Sequence, residues 1–168
     1  FERKTLLDLQ APLIWGGKAW NEVELENKFI SPLIMAAKID DRKIGYFLER
    51  PLSGTVGEYL LSGVVDGMIA SGLRDPDIPY FCLHEYKRSV DNEGNPDGQA
   101  LVAMLVAREL NGRQRPVYGL YIVGTLWNFI VLNLDDTYCV GNDLTATDQD
   151  IFIIFSMIKA IKELVKFD

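Results

Sequence analysis

The sequence is poor in the residue types that build zinc, disulfide and histidine-dependent sites. It has two cysteines, Cys82 and Cys139, and a single histidine, His84. The cysteines lie far apart in apolar surroundings and form neither a CxxC pair nor a Cys/His metal spacing. We therefore expect two buried free thiols, as is usual in a reducing compartment. We expect His84 to be a hydrogen-bonded packing residue rather than a general base.

Long apolar runs, leaders and repeats are also absent from the sequence. No segment approaches the roughly 20 apolar residues that a membrane-spanning helix needs, so we expect no membrane partner. No charged and then apolar leader opens the chain, and a cytoplasmic location is the default expectation. With 168 residues and no linker or internal repeat, residues 1–168 are expected to form a single domain. Because the sequence begins at Phe1 rather than at methionine, we expect a fragment of a longer protein, which could contribute additional domains.

Basic residues are scarcer than acidic ones. The chain has 17 Lys and Arg against 24 Asp and Glu, which gives a net charge of −7. This balance argues against broad, non-specific binding to nucleic acid, which normally requires a basic surface. It leaves room for a local basic rim, for which the candidates are Lys38, Arg42, Lys43, Arg88, Arg108, Arg113 and Arg115.

The sequence does contain a clear succession of helical and strand patterns. Apolar residues at helical spacing predict a first long helix over 18–39, which Pro32 should kink or break. A turn at 51–54 separates the first two predicted strands, and more strand patterns follow. The predicted strands are 43–50, 55–61, 62–70, 80–87, 116–124, 125–134 and 138–140.

Two further helices are predicted in the second half of the chain. Asp97 is the expected N-cap of an apolar helix that Gly112 should end. Residues 147–150 resemble a capping box that opens the last helix. The inner stripe of that helix is predicted to be Ile151, Ile154, Phe155, Ile158, Ile161 and Val165. Because helices alternate with strands, we predict an α/β fold in which helices flank both faces of a mixed β-sheet.

Ionisable residues interrupt two of the apolar strands. Alternation along 80–87 places one set on a single face, namely Phe81, Leu83, Glu85 and Lys87. Asp66 interrupts the preceding strand in the same way. Buried ionisable groups must pair with one another or meet a metal ion, since an unpaired buried charge is costly.

These residues suggest a particular chemistry if their two strands are neighbours. Asp66 and Glu85 would then converge, and a hard divalent cation with oxygen ligands would relieve their repulsion. Lys87 could contact the attacking water or the scissile phosphate, which completes the parts needed for metal-assisted phosphodiester hydrolysis. The alternative is structural: Glu85 and Lys87 would form a solvated pair where the strand leaves the core.

The same residues resemble a known family. The run VVDG at 64–67, followed by EYK at 85–87, resembles the D…ExK core of PD-(D/E)XK nucleases, although Val65 replaces the family's proline. Gln99 opens the next helix, where related enzymes carry a glutamine. The segment NEVELENKFISPLI at 21–34 is similar to the opening helix of the nuclease domain of type I restriction enzymes. On that register Glu22 is the helix acid, and Glu26, one turn on, is the alternative.

The resemblance implies a restriction-endonuclease-like fold and a Mg²⁺-dependent DNA endonuclease, with Mn²⁺ as a substitute, in restriction or defence against foreign DNA. It implies that the metal is held by Asp66, Glu85 and the Tyr86 carbonyl, and that Lys87, Glu22 and Gln99 complete the site. Cleavage would leave a 5′-phosphate, and a homodimer would cut both strands. The alternative is a catalytically weak or inactive module of this fold that binds nucleic acid or protein. The acidic charge favours that alternative, and the intact Asp66/Glu85/Lys87 set argues against it.

Overall fold

The fold is described from a computed structural model that covers residues 2–87 and 94–165. Seven strands in these ranges form one mixed sheet in the order β1-β2-β3-β4-β5-β6, with β7 also paired to β5. The strands are β1 Ile44–Val56, β2 Tyr59–Ser71, β3 Asp77–Lys87, β4 Val117–Val123, β5 Leu126–Leu132, β6 Tyr138–Val140 and β7 Leu144–Thr145. Within the described segments, no helix has the length and apolar character needed to traverse a membrane.

Helices lie on both faces of the sheet. They are α1 Glu2–Gly16, a 3₁₀ turn Gly17–Ala19, α2 Glu22–Leu25, a π-helical segment Glu26–Ile30, α3 Ser31–Ala36, α4 Pro96–Leu110 and α5 Asp150–Val165. Strands β3 and β4 are parallel, and α4 supplies the crossover that a parallel pair requires. All other pairs of neighbouring strands are antiparallel.

Two apolar cores confirm the predicted class. One core joins α1, the π-helical segment, α3 and α5 to one face of the sheet and contains Phe29, Trp127 and Ile154. The other joins α4 to the opposite face and contains Met68 and Met104. The fold is therefore a mixed α/β sheet flanked by helices on both sides, because each face of the sheet is apolar and must be covered.

The predicted first long helix is divided into three segments. Helical structure runs from Glu22 to Ala36 instead of over 18–39, and the segment before Pro32 is π-helical. The backbone N–H of Ser31 donates to the carbonyl of Glu26, five residues back. A proline ring clashes with the carbonyl four residues before it, and a widened turn relieves that clash. The expected interruption at Pro32 is thus present as a bulge in a continuous helical path.

The first hairpin turn lies elsewhere than predicted. Strand β1 continues through Pro51 to Val56, and the turn is formed by Gly57 and Glu58. Gly57 adopts φ +60°, a left-handed conformation that favours glycine. Among the described strands β1 pairs only with β2, and such an edge strand tolerates Pro51, which has no N–H to donate. The predicted turn at 51–54 and the predicted strand 55–61 are therefore wrong.

A bulge in β3 changes the predicted alternation. Ile69 pairs with Cys82, whereas Ala70 pairs with Tyr80, so Phe81 is an extra residue in β3. Phe81 consequently packs in the same core as Cys82, and its predicted place on the face of Glu85 is wrong. Beyond the bulge the alternation of 82–87 is regular. The side chain of Leu83 lies outside the described residues.

The second half of the chain follows the predictions more closely. Helix α4 ends before Gly112, whose φ is +65°, and β4 and β5 form a hairpin about Gly124. The N-cap of α4 is Asn95 rather than Asp97, because its side chain accepts from the N–H of Gly98 and Pro96 occupies the first helical turn. At the start of α5, the N–H of Asp150 donates to the side chain of Asp148.

The sequence also predicted which side chains of α5 are buried and that both cysteines are buried. The predicted inner stripe of α5 is buried at Ile151, Ile154, Phe155, Ile158 and Ile161, while the side chain of Val165 lies outside the described residues. Cys82 is a buried free thiol as predicted, and burial raises its pKa. Cys139 is exposed, which corrects the prediction, because β6 is a three-residue edge strand with all of its side chains exposed.

Candidate active site

The end of the β2–β3 pair brings two carboxyl groups together. Gly67 pairs with His84, so Asp66 and Glu85 follow side by side on antiparallel strands. The backbone N–H of Tyr86 donates to Asp66 Oδ2 at 2.6 Å and fixes this carboxylate against β3. Glu85 is only 7% exposed, whereas Asp66 is half-buried. The structure therefore places the two predicted carboxyl groups at one covered strand end.

Lys87 connects these strands to the first helical region. Its Nζ lies 3.4 Å from Glu85 Oε1 and 3.7 Å from Glu22 Oε1. Glu22 is the first residue of α2, which starts at a capping box between Asn21 and Glu24. This cap fixes where α2 begins and so places Glu22 over the end of β3. Of the two candidate helix acids, Glu22 is the one that pairs with Lys87.

The carboxyl group of Glu26 lies near the negative charges of the site, and these charges affect its pKa. Burial raises the pKa of Glu26, and the negative charges of Glu49 and Asp66 raise it further. Glu26 therefore faces like charges, whereas Glu22 faces a lysine. The two acids lie one turn apart on the same helical path, which explains why the sequence left the choice between them open.

The pKa values of the two central carboxyl groups, Asp66 and Glu85, are raised, which favours their neutral forms. Burial raises the pKa of Glu85 to about 7, and the neighbouring charge of Asp66 adds to the shift while Lys87 opposes it. Burial also raises the pKa of Asp66, against the hydrogen bond from Tyr86. Burial opposes the charge of Lys87, but attraction to Glu22 and Glu85 outweighs it, so the pKa of Lys87 is raised. The site thus holds excess negative charge, which a cation would stabilise.

Gln99 belongs to the same region, although its element is α4. Gly94 adopts φ +111°, and a Cβ built on it would lie 3.7 Å from Gln99 Oε1 and 3.8 Å from Lys87 Cε. Gln99 and Lys87 therefore flank the same glycine. Gln99 and Glu85 also line one cavity of about 450 Å³. The five residues predicted to act through their side chains, Asp66, Glu85, Lys87, Glu22 and Gln99, lie in this one part of the fold, as does Tyr86, whose carbonyl was the sixth predicted group.

Glu49 is a site residue that the sequence predictions missed. It lies in β1 between the pairs Leu48–Gly67 and Arg50–Val65, and therefore opposite Asp66, and its φ is +48°. Its charge raises the pKa of both Glu26 and Asp66. If the hairpin turn is placed at Gly57, the antiparallel register of β1 and β2 predicts Glu49 beside Asp66. The predicted turn at 51–54 implied a different register, so Glu49 was missed.

We expect Glu49→Asn to stabilise the protein by about 0.5–1 kcal/mol. Glutamate pays a steric cost at positive φ, which asparagine tolerates better, and the substitution removes a charge that opposes Asp66 and Glu26. Urea denaturation at pH 8 measures the change. The control is Glu58→Asn, an exposed glutamate of the same hairpin without a positive φ. Equal effects of the two substitutions would show that neither strain nor repulsion resides at Glu49.

A buried polar chain supports the back of the site. The hydroxyl of Tyr86 lies 2.7 Å from that of Tyr46 and 3.0 Å from Nδ1 of His84. Burial lowers the pKa of His84 to about 3, so this ring is neutral and agrees with the predicted packing role. Gly67 makes room for the chain, since a Cβ there would lie 2.5 Å from the Tyr86 hydroxyl. The side chain of Tyr86 is thereby held, and with it the backbone N–H that binds Asp66.

The oxygen atoms at this strand end fit a hard divalent cation in type and charge. The predicted donors are the carboxylates of Asp66 and Glu85 and the main-chain carbonyl of Tyr86. No group of three or more His, Cys, Asp or Glu side chains that could hold a metal ion is found among residues 2–87 and 94–165. Mg²⁺ does not require such a group, because it is usually held by one or two carboxylates together with waters and substrate phosphates. Burial raises the pKa of Glu85, and the charge of the adjacent Asp66 raises it further; this pair of close carboxyl groups favours a cation here.

Two arginines of the predicted basic rim form ion pairs at the far end of α4 instead. Arg108 is fully buried and binds Asp136 and the carbonyl of Asn133, and Arg113 pairs with Glu109 and Asp136. Both arginines tie the C-terminal end of α4 to the β5–β6 connection, whereas Gln99 lies at the other end of that helix. Lys38, Arg42 and Lys43 are exposed. Arg115 stacks on Phe81, and Arg88 lies outside the described residues.

A scan against models of protein families finds none that matches the chain. A search of curated proteins likewise finds no match.

Proposed function

We propose that this chain is a nuclease domain of the PD-(D/E)XK type, a Mg²⁺-dependent endodeoxyribonuclease in which Mn²⁺ can substitute. The supporting observation is the convergence of Asp66 and Glu85 on adjacent strands with Lys87 between Glu85 and Glu22. The order of elements, a helical region, three antiparallel strands, a crossover helix and a parallel strand, accords with a restriction-endonuclease-like fold. Restriction or defence against foreign DNA is the setting that the resemblance suggests.

Each residue has a definite part in this proposal. Asp66, Glu85 and the Tyr86 carbonyl would hold the metal, which when bound supplies a Lewis acid and lowers the pKa of water. Lys87 keeps its proton in the acidic surroundings, so it can stabilise negative charge on a phosphate or orient water. Glu22 fixes the position of the lysine head group. Gln99 contributes an uncharged amide beside Lys87. Cleavage would leave a 5′-phosphate, as in the family.

A second candidate function follows from the charge of the chain. A module of the same fold could bind nucleic acid or protein within a longer protein and lack strong catalysis. The net charge of −7 and the position of Glu26 and Glu49 beside Asp66 favour it, since both repel a phosphate backbone. Retention of the buried Glu85 argues against it, because its burial is unfavourable unless the site uses its charge.

The test combines metal binding with DNA nicking. We expect wild type to bind Mn²⁺ in a calorimetric titration and to nick plasmid DNA with Mg²⁺ or Mn²⁺. Asp66→Ala should lose metal binding, and Asp66→Ala, Glu85→Ala and Lys87→Ala should each lose nicking by at least about a hundredfold. Asp8→Ala and Lys4→Ala, which change exposed residues of α1, are the matched controls. A wild type that neither binds metal nor nicks any DNA would replace the nuclease proposal with the binding module.

A further inference from the structure

The cavity that Gln99 and Glu85 share lies between the β1–β2 hairpin and the first half of α4. We name it the α4 pocket and define it by Val64, Val65, Glu85, Gln99, Val102 and Ala103. Its volume of about 450 Å³ is within the range of small-ligand sites. Because Glu85 and Gln99 form part of its wall, the pocket opens onto the candidate active site.

The walls of the α4 pocket are mainly apolar and partly uncovered. Val102 is 43% exposed where it lines the pocket, whereas Val65 is buried. Apolar side chains that flank an active site in this way favour a ligand with an apolar surface. The polar lining includes the Gln99 amide and the Ser62 hydroxyl, which can donate and accept hydrogen bonds. An apolar pocket with a few polar groups suits a neutral heteroaromatic group.

Charge excludes a phosphate as the occupant of the α4 pocket. Among the described residues that line it, Glu85 alone is ionisable, and it is an acid. The surrounding acids Glu22, Glu26, Glu49 and Asp66 increase the negative potential. Lys87 is already held between Glu22 and Glu85. A surface of this kind gains little from the phosphate contacts on which duplex binding normally depends, so its affinity for DNA must come from elsewhere.

We propose that the α4 pocket binds an unpaired nucleobase of the strand to be cut, an inference that rests on the proposed nuclease function. A base that is paired in a duplex cannot enter a concave pocket, because its partner and its stacked neighbours stand beside it. A base that has left the stack can lie between Val65 and Val102 with its edge toward Gln99. The substrate class is therefore single-stranded or locally unpaired DNA. Insertion of the base also supplies affinity that does not depend on a basic surface.

Fluorescence anisotropy tests the proposal under conditions that separate binding from cleavage. The probes are a labelled single strand of 12 nucleotides, the same strand with central abasic sites, and the corresponding duplex. They are titrated in Ca²⁺ instead of Mg²⁺, and gels confirm that each probe stays intact. We expect wild type to bind the intact single strand at least about tenfold more tightly than either of the others, as expected for one stacked base.

Two substitutions locate the effect in the α4 pocket. Ala103→Phe fills the cavity, and Val102→Ser removes apolar contact at an exposed position that tolerates a polar residue. Both variants should bind the intact and abasic strands with equal, weakened affinity. Ile153→Ser, at an exposed position of α5, should behave like wild type. If Ala103→Phe does not fold, Val102→Ser still decides the question.

The outcomes for the pocket and for the nuclease are distinguishable. Equal binding of intact and abasic strands by wild type, preference for the duplex, no binding at all, or unchanged affinity in Val102→Ser would each overturn the pocket proposal. Nicking of duplex DNA that is unaffected by Val102→Ser would retain the nuclease and reject the pocket. Base-dependent binding by wild type without cleavage in Mg²⁺ or Mn²⁺ would retain the pocket as a binding site and reject the nuclease.

Discussion

Glu85→Gln is expected to lower the nicking rate by about a hundredfold to a thousandfold while making the metal-free protein more stable than wild type above pH 7. Glutamine keeps the shape of the side chain but cannot be a charged metal ligand, so transition-state stabilisation at the phosphate is lost. The same change removes a buried carboxylate that Asp66 repels. Activity and stability should therefore move in opposite directions, which a purely structural role of Glu85 would not produce.

The pH dependence gives the sign and size of the stability effect. Burial raises the pKa of Glu85 to about 7 in the folded protein, from its ordinary value of 4.5. Between these values the folded state binds more protons than the unfolded state, so stability falls as pH rises and is constant again above about pH 7. The contribution is on the order of 3 kcal/mol. In Glu85→Gln this fall between pH 4.5 and pH 7 should disappear.

Urea denaturation at pH 5 and pH 8, together with plasmid nicking at pH 8, measures both effects of Glu85→Gln. Glu58→Gln, at an exposed residue of the β1–β2 turn, should leave nicking and stability unchanged. A parallel loss of nicking and stability in Glu85→Gln would contradict the prediction. It would mean that the carboxylate stabilises the fold through Lys87 and has no separate catalytic role.

Gly67→Ala is expected to destabilise the protein by about 1–3 kcal/mol. The added Cβ would lie 2.5 Å from the hydroxyl of Tyr86 and 3.1 Å from that of Tyr46. Both tyrosines are buried or half-buried and bonded to each other, so the ring of Tyr86 cannot move away freely. A shift of Tyr86 would also displace the N–H that binds Asp66, so Mn²⁺ affinity should fall together with stability.

The cause of the Gly67→Ala effect can be isolated with a double-mutant cycle. Tyr86→Phe removes the hydroxyl that the new methyl group would meet. Gly67→Ala should therefore cost less stability in the Tyr86→Phe background than in wild type, with a coupling energy of about 1 kcal/mol. Gly63→Ala, in the same strand with open space around it, is the control and should have little effect. Additive effects of the two substitutions would mean that the clash is not the cause.

Local sequence patterns predicted the elements that form the candidate site. The positions of Asp66, Glu85 and Lys87 could be anticipated because two-residue alternation makes an ionisable residue in an apolar strand conspicuous. Helix α4 and the β4–β5 hairpin were found for similar reasons, since Gly112 and Gly124 both mark turns with positive φ. Two-residue alternation and glycine turns are properties of single elements, so they can be predicted without knowledge of tertiary contacts.

Other features depended on contacts between distant segments. The sequence could not separate Glu22 from Glu26, because both lie on one helical path and only the position of Lys87 decides between them. The bulge at Phe81 depends on how β2 and β3 pair, so strand periodicity alone placed that residue in the wrong core. Cys139 has apolar neighbours in sequence, yet the edge position of β6 exposes it.

The sequence by itself determined an α/β class and the residues of a charged strand end, because both follow from periodicity within single elements. The tertiary structure alone decided that Glu49 stands opposite Asp66 and that an apolar pocket adjoins Glu85. Both depend on the register of the β1–β2 hairpin and on the packing of α4 over it. Register is set by turns and by burial of a whole face, which are properties of paired strands and cannot be read from one strand.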